Sequence, residues 1–66
     1  MEMLEALRKR YEAQIAEAEA TLNIYLFKPV AIGEHPQHIE EIDKLLAKIA
    51  EANDKLEVIN EWGKLQ

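Results

Sequence analysis

Cysteine and serine are both absent from this 66-residue chain. Without cysteine there are no disulfides and no thiolate nucleophile; without serine the commonest hydroxyl nucleophile of acyl transfer is missing too. The chain has only two glycines and two prolines, and three of these four residues (Pro29, Gly33 and Pro36) fall in one short stretch. A glycine-rich phosphate loop therefore cannot be built. Basic residues are few, 8 Lys and Arg against 13 Asp and Glu, for a net charge of −5. The one basic cluster, Arg8-Lys9-Arg10, is bracketed by Glu5 and Glu12. Nucleic acids and anionic membrane surfaces are recognised through extended cationic patches, so neither is an expected partner. Long apolar runs are missing as well. The longest uncharged stretch, Ala20 to Phe27, has eight residues, where a membrane-crossing helix takes about 20. The first ten residues hold two glutamates and three cations rather than the apolar core of a signal peptide. These features predict a soluble, cytoplasmic, non-enzymatic protein with no cofactor and no catalytic residue.

What is present is helical period. Leu4, Leu7, Tyr11, Ile15, Ala18, Leu22 and Tyr25 recur at steps of three and four, which keeps them on one face of a 3.6-residue helix. Strong helix formers fill the positions between them, and the pattern predicts helix one over about 2–27. A second stripe, Ile39, Ile42, Leu46, Ile49, Leu56 and Ile59, is widened by Leu45 and Ala52. It predicts helix two over about 36–62, with Pro36 in the first turn and Gly63 just past the end. Glu40–Lys44 and Glu51–Lys55 are spaced four apart with the acid first, the favoured order for a helical ion pair. The segment 28–35 between the stripes reads as a loop, since Pro29 disfavours helix at the residue before it.

Two helices of matched length and a short connection predict one domain over 1–66, an all-α antiparallel two-helix hairpin. So small a chain has a marginal core, and staples are normally needed. Each apolar stripe is broader than one neighbouring helix can cover. Hence the sequence predicts a homo-oligomer, in the first instance a dimer closing a four-helix bundle. Its interface would comprise Leu4, Leu7, Tyr11, Ile15, Leu22, Ile42, Leu45, Leu46, Ile49, Asn53, Leu56 and Ile59.

Several residues carry two readings. Asn53 continues the Ile39–Leu46 heptad series: either it is buried and fixes register, or Ala52 takes the core position and Asn53 lies at the rim. Ala6, Ala13 and Ala20, seven apart, allow close helix approach along the hairpin, with Ile24 and Phe27 filling the wider end, or else a groove for a partner helix. Apolar Val30 and Ile32 in the loop either plug the end of the bundle or, with His35, form a docking tip for another protein. His35, His38 and Glu34 gather where helix two begins. They lack a fourth ligand, so solvent-facing helix-start residues are expected rather than a metal site. Trp62 continues helix two and is placed to pack on the end of the bundle away from the loop, or to act as an interface anchor.

The stretch Pro29-Val30-Ala31-Ile32-Gly33-Glu34-His35-Pro36, followed by Ile39-Glu40-Glu41-Ile42-Asp43, resembles small uncharacterised helical proteins of large tailed phages, including marine phages of cyanobacteria. The likeness covers the loop and helix two, about half the chain. It implies a phage or environmental origin and a cytoplasmic setting in the infected cell, and it assigns no functional residue. Three functional expectations follow. The first is a self-associating structural or protein-interaction module. The second is an acidic adaptor that binds a host or virion protein through the loop or the Arg8–Arg10 face. The third is a binder of a small apolar ligand or metal inside the bundle.

Overall fold

A computed structural model describes residues 2–28 and 38–64. They form two helices, α1 from Glu2 to Phe27 and α2 from His38 to Lys64. The helices pack side by side. Three cross-contacts fix their direction: Arg8 meets Asn60, Lys55 lies over Tyr11, and Tyr25 meets His38. As numbering rises on one helix it falls on the other, so the hairpin is antiparallel. Its long dimension is 50 Å and the other two are 15 Å each.

Along α1 the contact face is the predicted one. Leu4, Leu7, Tyr11, Ile15, Leu22 and Tyr25 are half-buried, and Ala18 is buried at 3% exposure. Along α2 the seam runs one position to the side of the expected stripe. Ala52 (2%) and Ile59 (6%) are its buried residues, with Ile42, Leu45, Ile49 and Leu56 half-covered. Leu45 and Ala52 are thus central rather than peripheral, whereas Ile39 is 81% and Leu46 51% exposed. The reason lies in the continuation of each line. Following Ile39 and Leu46, the next residue seven along is Asn53, whose amide would need a partner if buried. The alternative line meets Ala52 and then Ile59, and closes without a polar group.

Three further expectations are corrected. Ala6, Ala13 and Ala20 are exposed on the outer surface of α1, so they do not mediate close approach within the hairpin; Ala18 and Ala52 take that place. Ile24 and Phe27 do not fill the wider end, since both are exposed. Gly63 lies inside α2, which runs to Lys64; a helix tolerates glycine at a cost of about 1 kcal/mol relative to alanine. Val30, Ile32, His35 and Pro36 lie outside the described residues.

Backbone hydrogen bonding of α1 continues through Lys28, whose N–H donates to the Ile24 carbonyl at 2.9 Å. The helix thus runs up to the residue before Pro29, where proline geometry disfavours a further turn. Neither helix is long and apolar enough to cross a membrane.

Candidate functional site

The two buried alanines divide the hairpin into unlike flanks. On a helix, residues four before and three after a given position lie to one side of it; those three before and four after lie to the other. Around Ala18 the first pair is Gln14 and Thr21, the second Ile15 and Leu22. Around Ala52 the first pair is Lys48 and Lys55, the second Ile49 and Leu56. Both helices therefore place polar residues on one side of the seam and aliphatic residues on the other.

The polar sides meet in an open groove of about 450 Å³. Ala18, Leu45 and Ala52 line it with Gln14, Glu17, Thr21, Lys48, Glu51 and Lys55. Thr21 donates its hydroxyl to the Glu17 carbonyl at 3.1 Å, one turn back along its own helix. Lys55 pairs with Glu51 at 3.0 Å and holds its ammonium 5.1 Å from the Tyr11 ring centroid. A cation over an aromatic face is attracted by the ring quadrupole, so this contact ties the helices together. The hydrogen bond to Glu51, reinforced by the carboxylate charge, raises Lys55 above the ordinary lysine value of 10.5.

A raised lysine stabilises the fold while it is protonated. Its contribution is complete below the unfolded value of 10.5 and is lost as pH rises through the higher folded value. Wild type should therefore melt slightly above Lys55→Met at neutral pH, with a gap that closes in strongly alkaline buffer. Melts followed by circular dichroism across that range check it; a gap unchanged through lysine ionisation would discount the ion pair.

The second predicted pair is corrected. Lys44 pairs at 3.5 Å with Glu41, three residues back, rather than with Glu40. Both acids are within reach of an exposed lysine, and pairs of either spacing are worth only a few tenths of a kcal/mol.

The opposite flank begins polar and becomes mostly apolar, with exposed Glu19 between Ile15 and Leu22 on α1. Near the chain ends, the Arg8 guanidinium donates to the Asn60 side-chain oxygen at 2.9 Å and to Glu5 at 2.8 Å. Stepping seven residues inward on each helix places Ile15 level with Asn53; a further seven places Leu22 level with Leu46. Leu26, Ile42 and Ile39 continue the surface toward the loop end. Leu26, Leu46 and Ile39 are each at least half exposed. This flank is the principal candidate site.

Most of the residues expected at an interface are already used, in part, inside the hairpin. Leu4, Leu7, Tyr11, Leu45, Leu56 and Ile59 flank or form the seam. Leu46 and Asn53 are exposed, while Ile15, Leu22, Ile42 and Ile49 face both the seam and the apolar flank. His38, expected to face solvent, is half-buried and meets Tyr25 edge-to-face at 5.4 Å and 83°. The available signal was positional: Tyr25 is the last residue of one stripe and His38 immediately precedes the other. Trp62 is 56% exposed, on the groove side of α2 with Val58. Among the described residues, no three His, Asp or Glu side chains gather as a metal site. No family model, curated protein or solved structure matches the chain.

Proposed function

We propose that this protein is a non-enzymatic, self-associating helical hairpin, a structural or protein-interaction module in which two copies close a four-helix bundle. The observation that carries the reading is surface that one hairpin leaves uncovered. Among the described residues only Ala18, Ala52 and Ile59 are buried, while Leu26, Phe27, Ile39, Leu46, Val58 and Trp62 are each at least half exposed. A domain this small normally hides roughly 60% of its unfolded surface and is marginal even then. With no disulfide available, a second copy is the simplest source of the missing burial. Sedimentation equilibrium tests this. A dimer gives twice 7.6 kDa, 15.2 kDa, while 7.6 kDa at every concentration would exclude the reading.

A second reading is an acidic adaptor for a host or virion protein, in the phage-infected cytoplasm that the sequence resemblance implies. It is supported by the exposed side chains of Phe27 and Ile39 beside the connecting segment. The basic triplet supports it less, because Arg8 is engaged with Glu5 and Asn60.

A further inference from the structure

We draw no further inference here: the strongest candidate, the mostly aliphatic flank of the hairpin around Leu22 and Leu46, carries nothing beyond the self-association already proposed, because nothing in the structure shows what covers it.

Discussion

Ile59→Ala is expected to lower folding stability by about 2–4 kcal/mol, the usual range for emptying a buried isoleucine site. Among the described residues three apolar side chains are buried, and Ile59 is the only large one; the other two are alanines. Its neighbour Val58 is 55% exposed, so Val58→Ala should cost well under about 1 kcal/mol. Small domains sit at the low end of the usual 5–15 kcal/mol, and Ile59→Ala should therefore show partial loss of helical signal near room temperature. Urea titration of both variants measures the difference. Equal losses at 58 and 59 would mean that α2 is rotated from the orientation described.

The adjacent leucines 45 and 46 should separate folding from association. Leu45 is half-buried in the seam, while Leu46 is exposed on the aliphatic flank. Leu45→Ala should lower the unfolding free energy by about 2 kcal/mol and keep the wild-type dependence of the urea midpoint on protein concentration. Leu46→Ala should flatten that dependence, because it removes a contact with a second chain rather than one within the hairpin. The check is a pair of urea titrations at concentrations a hundredfold apart. If Leu46→Ala keeps the wild-type concentration dependence, the second leucine belongs to the hairpin core.

These two leucines also mark the boundary of what could be read from the sequence. On α1 the line from Leu4 through Ala18 to Tyr25 holds most of the large apolar residues, and it is the line the hairpin uses. On α2 two lines overlap, sharing Ile42 and Ile49 and diverging at the leucine pair. Period alone gives both equal standing. The choice depends on what α1 offers in return, namely small Ala18 flanked by larger residues, and on the difference between burying Ala52 and burying Asn53. Such pairing is tertiary information. The same limit explains Lys44, whose two acidic neighbours are equivalent by spacing, and His38, whose aromatic partner lies on the other helix. The unequal flanks were legible in principle, since the residues bordering Ala18 and Ala52 are polar at −4 and +3 and aliphatic at −3 and +4. Their meaning depends on the polar sides facing the same groove, which only the antiparallel packing establishes.

Whether one chain can cover its own apolar surface decides between a lone hairpin and a pair. Thermal melting over a hundredfold dilution series addresses this most directly. If folding and pairing are one equilibrium, the midpoint should fall by about 10 °C across the series, as mass action and the usual unfolding enthalpy per residue require. A midpoint that stays fixed, from a cooperative species of 7.6 kDa, would contradict it.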